Sequence, residues 1–315
     1  MIAIRRYTTD DRNVWDSFVA ASKNGTFLHL RGYMDYHADR FSDFSLMAFN
    51  AHGKLMAVLP ANLVGSTLYS HQGLTYGGWI TPVKHFTAVT MLEVWDVMNA
   101  FLHDNGIDTL IYKAIPYIYH RYPADEDIYA LFRHGAQFQE CNIAATAVIG
   151  SPLNKYGNST KLNIDKTRRA GFRIAEEDDY TAFWTILTAH LQERYGSSPV
   201  HSLEEITLLH KRFPKEIRLF CVYLGDTLVA GMVFYIINGV AHAQYTGNTP
   251  EGMHSNAIAF LHDYLMHTEF ADMHYYDFGT SNEDHGQKLN DGLLLQKNGL
   301  GGRGVAYQIF KVDIK

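Results

Sequence analysis

The pattern of apolar and polar positions in the first half of this 315-residue chain predicts helices followed by strands. Apolar residues at helical spacing follow Asp10 and Asp11, which can cap a first helix, and a short second helix is predicted near residues 31–38. The turn signals that separate three apolar runs predict a β-meander. The three runs are predicted strands over 44–50, 55–64 and 67–71. The elements predicted after them are a glycine-rich loop over 73–78, a helix over about 86–105, a strand over 109–114, a short helix over 128–133 and a strand over 143–149.

The same order of predicted elements returns in the second half. Helices after Asp178 and Ser202 precede another meander, in which Asn238-Gly239 is a strong hairpin signal. The predicted elements from the meander onward are strands over 217–224, 228–237 and 240–245, a helix from Ser255 to about residue 268, a strand over 273–278, a helix over 290–298 and a strand over 305–312. An order of α-α-β-β-β-α-β-α-β that occurs twice predicts a duplicated α+β fold with domains at 1–157 and 158–315.

Composition and charge narrow the class of protein. A hydrophobic content of 47% indicates globular domains, and 27 Lys and Arg against 33 Asp and Glu leave a formal charge of −6. Because Cys141 and Cys221 are the only cysteines, we expect no disulfide framework and no cysteine zinc site. The first residues lack the apolar core of a signal peptide, and the longest uncharged stretch, 227–250, is too interrupted to span a membrane. These observations favour a cytoplasmic protein.

The order of elements resembles that of the GNAT acyltransferase superfamily, and its occurrence in tandem resembles the Fem-type proteins. These FemAB-like proteins comprise peptidoglycan-bridge aminoacyltransferases and relatives that use acyl-CoA. The residues that carry the resemblance lie in segments 70–78, 165–169, 277–279 and 297–301. The resemblance covers nearly the whole chain and implies two tandem GNAT-like domains, each a mixed, mostly antiparallel sheet flanked by helices.

The resemblance implies transfer of an acyl group from acyl-CoA to an amine of an amino acid, amino sugar or peptide, without a metal. The donor's phosphates would bind at the start of the helix after the second meander, at Gly252, His254, Ser255 and Asn256. The usual GNAT phosphate-loop pattern is missing there. One alternative is therefore a non-catalytic ligand-binding protein that retains the fold. Another is an aminoacyl-tRNA-dependent transferase acting on a cell-wall precursor, which the acidic charge balance disfavours.

Candidate site residues are those expected to face a cleft between the halves. Asp277 leaves a strand beside that cleft and could orient the amine or act as base, with His71 and Tyr245 as further catalytic candidates. The expected substrate-binding residues are Tyr36, His37, Gln72, Tyr76, Arg168, Arg169, Lys297 and Arg303. Of these, the resemblance places Lys297 against substrate or donor, and Arg168 and Arg169 belong to a basic strip that could instead be a solvated linker.

Other chemistries find little support in the sequence. There is no HExxH motif, and His262 and His267 are five residues apart, which is the wrong step for one helical face. We therefore expect no metal site. The absence of GxSxG excludes the usual serine hydrolase, and the GxGxxG pattern at 299–304 follows a helix instead of a strand. The oligomeric state cannot be derived from these patterns.

Overall fold

The computed structural model describes residues 2–315. Its strands, in chain order, are β1 (Ile2–Arg6), β2 (Leu46–Asn50), β3 (Leu55–Leu59), β4 (Asn62–Val64), β5 (Thr67–Tyr69), β6 (Thr109–Lys113), β7 (Gln137–Val148), β8 (Phe172–Glu177), β9 (Ile217–Leu224), β10 (Thr227–Ile237), β11 (Val240–Asn248), β12 (Tyr275–Thr280), β13 (Asn282–Glu283), β14 (Lys288–Leu289) and β15 (Arg303–Asp313). Its α-helices are α1 (Arg12–Ala21), α2 (Arg31–Met34), α3 (Ala88–Asp104), α4 (Glu126–Arg133), α5 (Asn158–Arg169), α6 (Thr181–Tyr195), α7 (Leu203–Arg212), α8 (Pro250–His254), α9 (Ala257–Tyr264) and α10 (Asp291–Gly299). Shorter helical turns cover Thr9–Asp11, Phe27–His29, Asp35–His37, Tyr117–Tyr119 and Leu265–Glu269.

The described residues form two compact units. Unit 1 contains residues up to Asn142 together with 285–287 and 306–315, and unit 2 contains 143–284 and 288–305. The chain therefore enters unit 2 within β7 and returns to unit 1 within β15. The domain border predicted between residues 157 and 158 is the point in the sequence at which two duplicated halves would meet. The division into compact units does not test that border, which stays a prediction.

Unit 1 builds its core on antiparallel strands and one long helix. Strands β1, β2 and β3 form one antiparallel sheet, while β5 pairs in parallel with β6, which also pairs with the end of β15. One face of α3 buries Met91, Val94, Trp95, Met98 and Leu102 in a core that also contains Trp79. The predicted strand over 55–64 is broken at Pro60, which lacks the N–H that a continuous ladder needs. Its two parts become β3 and β4.

Unit 2 contains a sheet in the order β7-β12-β11-β10-β9-β8, which holds the second predicted meander as β9, β10 and β11. Asn238 and Gly239 both have positive φ, at 49° and 81°, as the predicted hairpin turn requires. Helix α6 packs on β10 and β11, where Gly231 and Gly247 leave room for the Phe183 ring. Helices α9 and α5 pack together, and α9 also contacts strands of this sheet.

The α+β class is confirmed, but each half begins one strand earlier than predicted. Strand β1 precedes α1 and pairs with β2, and β8 precedes α6 and pairs with β9. The solvated-linker interpretation of the basic strip is wrong. That segment forms α5, which buries Ile164 and Thr167, and then β8. Within residues 2–315, no helix combines the length and apolar character needed to cross a bilayer.

Candidate functional site

Strands β11 and β12 of unit 2 form a fork. They pair in parallel at Val240–Tyr275, Ala241–Tyr276 and His242–Asp277, where the pairing ends, although β11 continues to Asn248. A pocket of about 540 Å³ lies beyond this point and is lined by Ala243 of β11 and Phe278 of β12. Backbone groups on this edge of β11 therefore face a pocket instead of a neighbouring strand.

Helices of unit 2 supply the remaining walls of the pocket. Its polar lining is Ser159, Thr160, Asn163, His190, Arg194, Thr246, Asn248, Asn256, His262, Gln296 and Lys297. Its apolar lining is Leu191, Ala243, Met253, Ile258, Ala259, Phe278, Leu293 and Leu300. A concave site that combines apolar side chains with convergent polar groups is a candidate small-molecule site.

Lys297 is a predicted site residue that lies in the pocket wall. Its Nζ donates to the carbonyl oxygens of Gly279 at 2.9 Å and Thr280 at 2.7 Å, so the amine is fixed against β12. Burial lowers the pKa of Lys297 to about 8, while the charge of Asp277 acts in the opposite direction. The amine is thus a firmly held donor that remains mostly protonated near neutral pH.

His262 is a pocket residue that the sequence analysis considered only as a metal ligand. Its Nδ1 is 2.7 Å from the hydroxyl of Tyr276. Burial, with a smaller contribution from the Lys297 charge, lowers the pKa of His262 to about 3, so the imidazole is neutral near pH 7. Across residues 2–315, no group of three or more His, Cys, Asp or Glu side chains is arranged to hold a metal ion.

Asp277 lies at the last paired position of the fork and is fully buried. Its Oδ2 is 2.8 Å from Nδ1 of His242, and its Oδ1 accepts from the Thr146 hydroxyl at 3.1 Å and the Gly279 N–H at 3.0 Å. Asp277 therefore has no exposed surface in this structure, and its predicted catalytic role stays a prediction.

The predicted phosphate-binding segment covers the end of α8 and the two residues that separate α8 from α9. Gly252 lies inside α8, buried so closely that a Cβ there would lie 2.3 Å from the carbonyl oxygen of Val229. His254 is exposed, and the Ser255 hydroxyl donates to the carbonyl oxygen of Glu251 at 2.8 Å. Asn256 has a φ of 58°, precedes α9 and is the member of this predicted set that lines the pocket.

Several predicted residues belong to unit 1 and pack with one another. The ring of His37 stacks on those of Tyr36, at 4.2 Å between centroids, and His71, at 5.1 Å. His71 is buried with a φ of 67°, and burial lowers its pKa to about 3. The side chain of Gln72 accepts from the amide of Asn62 at 2.8 Å. Tyr76, also in unit 1, is buried and stacks on Tyr119 at 4.8 Å.

The remaining predicted residues lie outside the pocket lining. The Tyr245 hydroxyl is 2.5 Å from Nδ1 of His201, and its ring packs edge-on against Trp184. These contacts hold the Tyr245 side chain between His201 and Trp184, and its predicted catalytic role stays a prediction. Arg168 forms ion pairs with Asp165 and Asp263. Arg169 is exposed, and Arg303 is exposed and donates to the carbonyl oxygen of Gly302.

Comparisons with known proteins agree with this architecture. Residues 155–286 match the family model of the acetyltransferase (GNAT) domain, a segment that includes β11, β12 and most of the pocket lining. A search of the curated proteins found no match to this sequence.

The structure is similar to solved structures along its whole length. FemX superposes with a TM-score of 0.69 at 11% identity, covering 99% of this chain and 97% of that one. L-PGS from Bacillus licheniformis gives 0.59 at 12% identity, with coverages of 99% and 93%, and a tandem GNAT protein from the clavulanic acid biosynthesis pathway gives 0.52 at 11%, with 100% and 99%. Identities this low establish the fold alone. Residues 155–286 therefore match a GNAT acetyltransferase domain, and the chain as a whole has the fold of FemX and of a tandem GNAT protein.

Proposed function

We propose that this protein is an N-acyltransferase that moves an acyl group from acyl-CoA to an amine of an amino acid, amino sugar or peptide. The observation that carries the proposal is the fork between β11 and β12, where a pocket opens between Ala243 and Phe278 inside the segment that matches the GNAT model. The thioester lies in this fork, and the rest of the donor extends along the pocket.

The reaction needs positioning and charge stabilisation. The amine nitrogen attacks the thioester carbon, a C–N bond forms, the C–S bond breaks and the thiol leaves. Backbone N–H groups on the free edge of β11 stabilise the oxyanion, because donors already in place need no reorganisation during the reaction. Lys297 adds a positive charge in the same wall, held by its bonds to Gly279 and Thr280. The apolar lining limits access of water, which would hydrolyse the thioester.

The phosphates of the donor bind where the pocket meets α9 and α6. Ile258 and Ala259 belong to the first turn of α9, where backbone N–H groups lack intrahelical partners. His190 and Arg194 of α6 supply side-chain donors on the facing wall. Of the residues predicted to bind the phosphates, this placement keeps Asn256. The first turn of α9, His190 and Arg194 take the place of Gly252, His254 and Ser255.

A pocket-blocking variant tests the donor site. Ala259→Trp introduces a large ring into the pocket, whereas Ala182→Trp makes the same change at an exposed position of α6 outside the lining and is the matched control. Acetyl-CoA at about 100 times its Kd is expected to stabilise the wild type and the control by about 2.7 kcal/mol, seen as a higher melting temperature. Ala259→Trp is expected to show neither the rise in melting temperature with acetyl-CoA nor the release of free CoA thiol during turnover. An equal shift in both variants would exclude this pocket, and the absence of any CoA-dependent shift in the wild type would exclude the function.

A second candidate is the aminoacyl-tRNA-dependent transferase acting on a cell-wall precursor. Helix α5 contributes Thr160 and Asn163 to the pocket and exposes Lys161, Lys166 and Arg169 on its other positions. A basic helix beside the pocket is a feature that a tRNA phosphate backbone would contact. Binding of uncharged tRNA that weakens steeply as salt is raised, without any CoA-dependent shift, would favour this candidate. Binding of acetyl-CoA without turnover of any amine would indicate a ligand-binding protein.

A further inference from the structure

Lys297 and His262 lie together in the pocket wall, beside Phe278 and Gly279 of β12. The Lys297 amine donates to the carbonyl oxygen of Gly279, and the His262 ring packs edge-on against that of Phe278, with 5.0 Å between the ring centroids. The charge of Lys297 also contributes to the lowered pKa of His262, so the two groups are close enough to interact. Both side chains line the pocket, although only 9% of the surface of Lys297 and 6% of that of His262 is exposed.

The positive charge of Lys297 is buried without an ion-pair partner. In residues 2–315 no carboxylate lies within ion-pair distance of Nζ, although the charge of Asp277 acts on it from further away. The described lining of the pocket contains the cations Lys297 and Arg194 but no Asp or Glu. A buried lysine is normally paired, because removing a charge from water costs free energy that a partner offsets. The pocket therefore favours a ligand that brings a negative charge.

The ammonium of Lys297 also keeps a hydrogen-bond donor for such a ligand. An ammonium has three N–H groups, and the carbonyl oxygens of Gly279 and Thr280 accept from two of them. Because Lys297 lines the pocket, the third N–H is available on that side.

The hydrogen bond between His262 and Tyr276 supplies a second donor. Tyr276 is fully buried, and within residues 2–315 the hydrogen-bond partner of its hydroxyl is Nδ1 of His262, at 2.7 Å. Since a buried hydroxyl proton is normally used in a hydrogen bond, the phenol O–H donates to Nδ1. The neutral ring then carries its own proton on Nε2. His262 thus presents an N–H group to the pocket beside that of Lys297.

We propose that Lys297 and His262 form a subsite for a carboxylate of the substrate. This inference rests on the proposed function. The two carboxylate oxygens accept from Nζ of Lys297 and Nε2 of His262, and the single negative charge balances the lysine ammonium. A phosphate monoester, with about two charges and three free oxygens, needs more donors than these two.

The carboxylate has two possible sources, which are the acyl group of the donor and the amine acceptor. In the first case the donor is a dicarboxylic acyl-CoA, and in the second the acceptor is an amino acid. In both cases the thioester oxyanion is held by the backbone N–H groups of β11, so the third N–H of Lys297 binds the carboxylate.

Paired donors that carry a terminal carboxylate or a methyl group test the first source. Succinyl-CoA and butyryl-CoA have four-carbon acyl chains, and malonyl-CoA and propionyl-CoA have three-carbon chains. If the acyl group carries the carboxylate, calorimetric titration of the wild type should show about 10- to 100-fold tighter binding of the carboxylated member of at least one pair, the range for hydrogen bonds to a charged group.

Two variants assign that preference to the subsite. Lys297→Met should abolish the preference and His262→Phe should reduce it, while the Kd for butyryl-CoA changes little in either variant. Lys215→Met, at an exposed position just before β9 and outside the pocket lining, is the matched control and should keep the full preference.

Amino acids and their carboxamides test the second source, titrated into the protein with and without CoA. Tighter binding of the amino acids that is lost in Lys297→Met would place the carboxylate on the acceptor. Equal affinities within every donor pair and every acceptor pair would overturn the inference. A preference that Lys297→Met retains would also overturn it.

A spectroscopic measurement tests the donor assignment of His262 without any ligand. In protein labelled with ¹⁵N-histidine, long-range ¹H–¹⁵N correlations should show a bare Nδ1 and a protonated Nε2 for His262. The opposite tautomer would overturn the inference, because a lone pair on Nε2 would repel a carboxylate oxygen. A wild type that binds no acyl-CoA would instead overturn the proposed function, whereas the titration of amino acids without CoA would still test the carboxylate subsite.

Discussion

The most distinctive stability prediction concerns Asp127, a fully buried carboxyl in unit 1. Its Oδ2 accepts from the hydroxyl of Tyr112 at 2.6 Å, and its Oδ1 accepts from the N–H of Ile128 at 2.9 Å. Burial raises the pKa of Asp127 from 3.8 to about 7, against the opposing effect of the Tyr112 hydrogen bond. The folded protein thus keeps this proton over a pH range in which the unfolded chain releases it.

The sign and size of the effect follow from linkage. Between about pH 4 and pH 7 the folded state binds more protons than the unfolded state, so the free energy of unfolding falls as the pH rises through this window. A shift of roughly 3 pKa units corresponds to about 4 kcal/mol in all. Between pH 5 and pH 8 the same relation gives a loss of about 2–3 kcal/mol from this single carboxyl.

The variant Asp127→Asn removes this titration while keeping the shape of the side chain. It is expected to cost about 1–3 kcal/mol at pH 5, because one buried hydrogen-bonding group loses its partner. Relative to the wild type, its unfolding free energy should rise by about 2–3 kcal/mol between pH 5 and pH 8.

The assay is urea unfolding followed by tryptophan fluorescence. Trp15, Trp79 and Trp95 belong to unit 1, so the signal reports chiefly on that unit. Asp104→Asn, at an exposed carboxyl of the same unit, is the control and should follow the wild type at every pH. If the difference between Asp127→Asn and the wild type were the same at pH 5 and pH 8, the reasoning would be refuted.

The remaining predictions concern packing and capping in unit 2, with urea unfolding followed by far-UV circular dichroism as the readout. Gly231→Ala would place a Cβ 2.6 Å from the Phe183 ring and should cost about 1–3 kcal/mol. By contrast, a Cβ at Gly292 in α10 would meet only Asn290 Oδ1, at an ordinary contact distance of 3.8 Å, and Gly292→Ala should stabilise by about 0.5–1 kcal/mol. Equal effects of the two changes would contradict the packing described here. Ser202→Ala removes the hydroxyl that accepts from the N–H of Glu205 and should cost about 1 kcal/mol, most of which Ser202→Asp should retain. A Ser202→Ala variant with the same free energy of unfolding as the wild type would show that this helix cap does not stabilise the protein.

Much of the fold was accessible from the sequence because local signals agreed with it. The second meander was predicted almost to the residue, since apolar runs of strand length and the turn signals Gly225-Asp226 and Asn238-Gly239 define both the strands and the turns. The segments that were missed have weak apolar patterns. Helix α5 buries only Ile164 and Thr167, so its sequence is dominated by polar and basic residues that are equally typical of a linker.

The site was accessible only in part, because its key contacts are long-range. Lys297 and Asn256 could be named in advance because the family resemblance and the start of a helix point to them. The pairing of His242 with Asp277 depends on parallel strands joined by α8 and α9, and no local pattern encodes which residues come opposite each other. The same holds for His262, whose approach to the pocket depends on the way α9 packs.

The most direct test of the central claim is a crystal structure of the protein with a thioether analogue of acetyl-CoA, which cannot transfer its acyl group. The account predicts that the sulfur lies between Ala243 and Phe278, with the phosphates beside the first turn of α9. An analogue bound in unit 1, or bound in unit 2 away from the fork, would contradict it.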